Sequence, residues 1–410
     1  MGDGEREVAG SCANGHDHAA VPTVGVEEEY FLVHPGSRSV EAGGSRVVAR
    51  ASSVMGDLVS GEFTEYQIEG KTPPCSSFAE LFSQLAWMRG AASAAAQVEG
   101  LRLCASGTPV IGGSGPAEIG DHPRYRASVD QYRAMLDDFA VCAFHTHVHL
   151  PDRELGVLVS NHLRPWLPLL VAMSANSPFH QGHDTGYESW RSVVRGRFPC
   201  LGPPPYFESL DHYERLAVAM QESEAMLDAA IPFWDIRPNP RLPTLEIRSM
   251  DVMPDIDDAA AMAVLIRALA VTAAARVRRG DPGPRPSSEL LRGAYWRAAR
   301  DGWSGNGVDA LTGRILPASV QAARLVDHVR PALEEHGDMG QVRAFLRRLA
   351  VRGSGAQRQR ASAESRHGLV GVVDDLILLT VGSVASASRQ APSGPQGKPD
   401  ETVHKLFRSA

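Results

Sequence analysis

The sequence predicts an α+β fold: a largely antiparallel sheet with helices on one face. The segments run β-β-α-β-α-β-α-α-β-β-α, without the regular βαβ alternation of a parallel sheet. Several short segments alternate polar and apolar residues, the period of a strand with two different faces. No internal repeat and no long linker interrupts the middle of the chain, so residues 22–382 read as one domain.

Residues 1–21 are polar and Gly-rich, and 383–410 have the same character, so both are expected to be disordered. Thr23–Val33 reads as a strand and Phe63–Ile68 as a second. Ser77 is placed to cap a helix over Phe78–Glu99, with Glu80 as its capping-box partner and Gly100 as its stop. Leu101–Ser106 is a short strand, Gly107–Asp121 a Gly/Pro loop, and Arg126–Asp137 a helix. Val141–Leu150 alternates as a strand, and Leu155–Ala175 is an apolar helix. Gly202–Phe207 is a Pro-rich loop and Leu210–Ala230 a helix. Phe233–Arg237 and Leu245–Ser249 are strands. Asp255 caps a helix over Ile256–Arg279, whose last residues, Arg278 and Arg279, complement its negative end. The remainder, up to Gly382, is mostly helical.

The bulk numbers exclude several classes. The chain has 410 residues, 41 Lys+Arg against 48 Asp+Glu, and a formal charge of -7. An acidic balance argues against nucleic acid as partner. The scattered cysteines Cys12, Cys75, Cys104, Cys142 and Cys200 contain no CxxC pair, which suits a reducing cytosol better than a zinc or disulfide framework. The N-terminus lacks the apolar core of a signal peptide, and no run of eighteen apolar residues implies a membrane partner, so a cytoplasmic protein is expected. Lysine is scarce: Lys71 is the one lysine before the tail, so phosphate handling falls to arginine.

The chemistry lies on the strands. In Val26-Glu27-Glu28-Glu29-Tyr30, Glu27 and Glu29 share one face and Glu28 takes the other. Paired carboxylates repel unless a cation sits between them; the alternative is a polar edge strand. Glu65, Gln67 and Glu69 repeat the pattern on the second strand, and hard divalent cations want several carboxylate oxygens. His145, His147 and His149 put three imidazoles on one strand face. Glu246 and Arg248 share a face of Leu245–Ser249, as a metal-binding acid and an anion-binding base or as a salt-bridged strand. Gly70-Lys71-Thr72 is not a phosphate loop, because Glu65 stands where its first glycine belongs and Pro73-Pro74 block the helix. Clustered Glu, His and Arg suit Mg²⁺-assisted phosphoryl transfer better than a zinc hydrolase.

Together these motifs resemble the bacterial carboxylate–amine ligases grouped as glutamate–cysteine ligase type 2. The resemblance spans about 23–382 and rests on GVEEEYFLV, TEYQIEGKTPPC, Arg124-Tyr125, HVH, SANSPFHQGHDTGY (174–187), FWDIRPNP (233–240), TLEIRSMD (244–251), AARDG (298–302) and GAQRQR (355–360), in matching order. It implies a glutamine-synthetase-like catalytic fold that takes ATP and Mg²⁺. It implies metal binding at Glu27, Glu29, Glu65, Glu69, His147 and Glu246, with His149 near the ATP γ-phosphate. Arg248 would stabilise the transferred phosphate, while Arg237, Arg358 and Arg360 would face the acid substrate or nucleotide phosphates.

The activity implied is amide formation of the γ-glutamyl-cysteine type through an acyl phosphate, with small-molecule acid and amine partners. A homo-oligomer, at least a dimer, is expected from the family, and Gly107–Asp121 is a candidate lid. The chain departs from the family pattern at Pro109, where a histidine is expected, at Ala294, where asparagine is common, and at His145 and Thr146, where small or apolar residues usually precede the HVH. These changes leave open a different acid and amine, or a decayed homologue that binds without catalysis. A metal-dependent hydrolase using the histidines is a third reading.

Overall fold

The computed structural model describes residues 22–113, 118–365 and 368–382. The segments expected to be disordered, 1–21 and 383–410, lie outside the described residues, as do residues 114–117 of the candidate lid. The strands are β1 (Val24–Val33), β2 (Val59–Gly61), β3 (Gln67–Lys71), β4 (Arg102–Cys104), β5 (Ala143–His149), β6 (Phe179–His180), β7 (His183–Asp184), β8 (Ile236–Pro238), β9 (Thr244–Asp251), β10 (Asn306–Val308) and β11 (Ile315–Pro317). The helices are α1 (Gly44–Met55), α2 (Phe78–Val98), α3 (Pro123–Tyr132), α4 (Arg153–Leu163), α5 (Leu167–Ser174), α6 (Trp190–Arg195) and α7 (Leu210–Glu222). They continue with α8 (Ile256–Arg278), α9 (Ser288–Asp301), α10 (Ala318–Glu335), α11 (Met339–Arg352), α12 (Gly355–Ser365) and α13 (Gly368–Gly382).

The main sheet has the order β2-β3-β1-β5-β9-β8, with β4 beside the end of β1, and its pairings are antiparallel. The α+β expectation therefore holds. α2 and α8 pack against the sheet, and α8 is flanked by α4, α10 and α11. Alanines 259–261, 263, 268 and 270 of α8 are buried, and small side chains let the helix sit close to its neighbours. α8 is also the one described helix long and apolar enough to cross a membrane, yet 72% of its most apolar stretch is buried inside the protein.

Several boundaries moved, each for a local reason. Of the strand expected over Phe63–Ile68, only Gln67 and Ile68 are extended in β3. The Glu65 carbonyl accepts the amides of Gly43 and Gly44 at the start of α1, which bends the segment, and β3 begins only at Gln67. The helix expected over Leu155–Ala175 breaks into α4 and α5 around Pro165 and Pro168. The one expected over Leu210–Ala230 stops at Glu222, before Glu224 takes a left-handed backbone (φ 59°). α3 starts three residues early, on Pro123, with the His122 ring accepting the Arg124 amide. Ser77 does cap α2, but the Glu80 carboxylate reaches Ser76 rather than Ser77.

The middle glutamate of the acidic strand anchors the sheet to its helix layer. Glu28 is fully buried, and the Arg89 guanidinium of α2 donates to both its oxygens while also reaching the carbonyls of Met253 and Pro254. The Tyr30 hydroxyl completes the cluster. Glu28 thus faces the helices, which leaves Glu27 and Glu29 on the opposite face.

Candidate active site

That opposite face carries the chemistry. Antiparallel register places Glu27 opposite Lys71 and His145, and Glu29 opposite Glu69. His147 is opposite Glu246, which is opposite Arg237. Strand alternation turns these side chains to one side, so one file of charged groups crosses β3, β1, β5, β9 and β8.

His145 is the hub. Its Nδ1 lies 3.3 Å from Glu27 and its Nε2 3.8 Å from Glu29. Glu27, His145 and Glu246 can bring one ligand atom each within 4.8 Å of the others, and so can Glu29, Glu69 and His145. His147 lies 3.4 Å from Glu27, and its other nitrogen is 3.0 Å from the Thr244 hydroxyl. Burial, reinforced by the Arg248 charge, pushes the His145 imidazole down to about 3 and keeps it neutral, the state that ligates a metal. Burial also works against charge on His147, but Glu27 outweighs it and raises the imidazole. Burial would raise Glu27 too; His147 and His145 overcome that and hold it well below the ordinary carboxylate range.

Glu29 and Glu246 are buried in contrasting ways. Glu246 accepts from Arg237 at 2.9 and 3.1 Å, from Asn239 at 3.1 Å and from Arg248. Burial favours its neutral form, but Arg237 and Arg248 hold it well below the usual range. These bonds fill the roughly four lone-pair positions of a carboxylate, so Glu246 would have to give one up to ligate a metal. Among the described residues, Glu29 accepts only the Ala143 amide, at 2.7 Å. Burial raises it to about 7; Arg191 opposes the rise and Glu69 adds to it. Glu62, which the strand pattern did not single out, lies beside it. Burial pushes the Glu62 carboxyl well up, with Glu29 and Glu69 adding to the rise. Lys71, 2.9 Å from Glu69, is the lone ammonium beside this acidic corner among the described residues.

The corner fits a divalent cation. Glu29 and Glu69 offer hard oxygens, His145 offers a neutral nitrogen, and anionic charge is left without full compensation. On the neighbouring side, His147 Nε2 is buried and, among the described residues, makes no aligned hydrogen bond, facing Glu27 at 3.4 Å.

Some expected residues lie elsewhere. Glu65 is not in the cleft; its side chain accepts the Ser45 amide and hydroxyl and caps α1. His149 lies at the exposed end of β5, so the inward pair is His145 and His147, two residues earlier than expected. Arg358 pairs with Asp255 at the start of α8. Arg360 ties down β7 and the loop after it through Asp184, Glu188 and the Tyr187 carbonyl. Neither arginine lines the cleft cavity. Ala294 is buried beside Leu291 and Ala310, outside the cavity.

A cavity of about 160 Å³ opens beside Glu29, Glu62, His145 and Arg248, and Arg124, Arg191 and Arg195 also line it. Arg191 and Arg195 are one turn apart on α6 and share a face, a spacing the sequence does show. Arg191 is held by the Arg248 and Ser249 carbonyls and faces Asp251, which accepts from Ser177, Ser189 and the Asn176 amide. The SANSP segment thereby sets the position of α6 behind the cleft.

Similarity to known proteins extends over most of the chain. The family model described as Glutamate-cysteine ligase family 2 matches residues 23–374. A "Putative glutamate--cysteine ligase 2-1" of Saccharopolyspora erythraea is 40% identical over 361 residues, covering 88% of this chain and 95% of the relative. A "Putative glutamate--cysteine ligase 2" of Salinispora arenicola is 43% identical over 348 residues, covering 85% and 91%. Among solved structures, the glutamate–cysteine ligase of Francisella tularensis in complex with AMP superposes with a TM-score of 0.61 at 11% identity, over 95% of this chain and 98% of that one. The bifunctional glutathione synthetase of Pasteurella multocida gives 0.65 at 14% identity, over 88% and 52%. At such identities the two structures speak to the fold alone.

Proposed function

The chain belongs to Glutamate-cysteine ligase family 2, and from that premise we propose that it is an ATP- and Mg²⁺-dependent carboxylate–amine ligase acting on small molecules in the cytoplasm. The observation that carries the reading is the single file of carboxylates, imidazoles and guanidiniums on the open face of the sheet.

A carboxylate is a poor electrophile. Phosphorylation by ATP would give an acyl phosphate and ADP; the amine then attacks the acyl carbon, and phosphate leaves as the amide forms. Glu27, Glu29, Glu69, His145 and His147 would hold Mg²⁺, with Glu246 joining if it releases an arginine. Mg²⁺ there supplies charge neutralisation for phosphate oxygens. Arg248, which donates to Glu246 and lines the cavity, would pair with the transferring phosphoryl group. Arg237 donates to Glu246 and the Pro232 carbonyl, so its role would be to position Glu246. Neutral His145 would offer a nitrogen between Glu27 and Glu29 without adding charge. The buried floor of the cavity would shield an acyl phosphate from water.

Release of ADP and phosphate, measured against a panel of acids and amines, tests the reading; no acid-dependent release with any pair overturns it. Glu27→Gln should abolish turnover while the protein stays folded, and full activity in that variant would refute the metal assignment.

A further inference from the structure

The cavity beside the acidic corner has two unlike ends. One holds Glu29, His145 and Arg248. The other is walled by aromatic rings that brace each other edge to face: Tyr125 on Phe63 at 5.4 Å, Phe63 on Phe139 at 5.7 Å, Phe139 on Phe198 at 5.1 Å and Phe198 on Tyr132 at 5.2 Å. Such a chain of rings is stiff, because each ring is held at centroid distances that favour the contact. All five rings line the cavity.

The cavity is also lined by arginines with bonding capacity to spare. Among the described residues, Arg124 Nη2 and Arg191 Nε are buried and have no hydrogen-bond partner. Arg191 is 1% exposed. Arg124 stacks over Phe233 at 5.4 Å and meets Asp228 only at 3.5 Å. A buried guanidinium N–H without a partner costs free energy that an incoming carboxylate would recover.

We propose that this cavity is a substrate subsite for an organic carboxylate with an apolar body of about phenyl size, its carboxylate taken by Arg124 and Arg191 and its body laid against the aromatic wall. The inference rests on the ligase reading and names its substrate class. The size permits this: roughly 150 Å³ suffices for benzene, and the whole cavity, its charged end included, has about 160 Å³. Cysteine would leave much of that space empty. Glutamate would place a second charged group against ring faces that offer no partner. Two sources share the chemistry: the acid to be activated, or an amino acid serving as the amine.

Calorimetric titration of the full chain, with and without ADP, separates them. The ligands are 3-phenylpropionate, phenylalanine, glutamate and cysteine. An aryl carboxylate should bind about 10- to 100-fold tighter than glutamate or cysteine. Binding of 3-phenylpropionate marks the activated acid, and binding of phenylalanine alone marks the amine. Ser128 lines the cavity, and Ser128→Phe should fill it and abolish aryl binding. Arg124→Met should weaken aryl binding about tenfold or more. Glutamate or cysteine binding as tightly as either aryl ligand overturns the proposal, as does an unchanged aryl affinity in folded Ser128→Phe. If Ser128→Phe does not fold by circular dichroism, Arg124→Met decides alone, and unchanged affinity there is the refuting result. Turnover of glutamate with cysteine and no aryl binding sinks this inference and leaves the ligase reading standing. Aryl binding with no ADP release under any pair sinks the ligase reading instead.

Discussion

Glu28 and Glu29 are adjacent in sequence and face opposite sides of the sheet, so their amides should have opposite consequences. Glu29 is buried among Glu62, Glu69 and His145, and burial raises it from 4.5 to about 7. A carboxyl with a higher pKa folded than unfolded holds its proton longer in the native state, so stability falls as pH rises from about 4.5 to 7. At pH 8 the full cost of about 3 kcal/mol is present; at pH 5 less than about 1 kcal/mol remains. Glu29→Gln keeps an oxygen for the Ala143 amide and removes the buried charge. In metal-free buffer it should therefore stabilise the protein by up to about 3 kcal/mol at pH 8 and by under about 1 kcal/mol at pH 5. The same change removes a carboxylate oxygen from the proposed metal site, so Mg²⁺ should stabilise the parent by mass action but not the variant. Urea unfolding at the two pH values, with chelator or with Mg²⁺, measures both effects. A variant less stable than the parent at pH 8 without metal, or one stabilised by Mg²⁺ as strongly as the parent, would refute the reasoning.

On the helix side, Arg89→Met leaves Glu28 buried without its cation and should cost about 3–5 kcal/mol in urea unfolding; a loss below about 1 kcal/mol contradicts the buried pair. His145→Ala should eliminate Mg²⁺-dependent stabilisation, whereas His149→Ala, at the exposed strand end, should leave it intact; thermal shift with Mg²⁺ distinguishes them, and the reverse order would restore the later pair. Glu65→Ala should cost about 0.5–2 kcal/mol through the lost cap of α1 with Mg²⁺ binding unchanged, and loss of metal binding there would return Glu65 to the site.

The alternation of Glu27, Glu28 and Glu29 was enough to separate a cleft face from a core face, because strand geometry turns successive side chains to opposite sides whatever surrounds them. The same rule marked Glu246 and Arg248 as neighbours. Which histidines enter the site was not legible: three imidazoles at period two look alike until the chain ends the strand at His149. Glu65 and Glu69 are likewise indistinguishable by spacing, and only the amides at the start of α1 pull Glu65 away.

By itself the sequence determined local quantities: strand parity, the capped start of α2, the α+β order of elements and the family motifs. The tertiary structure decided where charge is compensated. Arg89 reaches Glu28 across 61 positions, while Arg358 and Arg360 are drawn to Asp255, Asp184 and Glu188 and away from the cleft. Aromatic residues between Phe63 and Phe198 meet in one wall. Pairings of this kind depend on three-dimensional distance and on exclusion of water. Neither has a period along the chain, so no pattern of residues announces them.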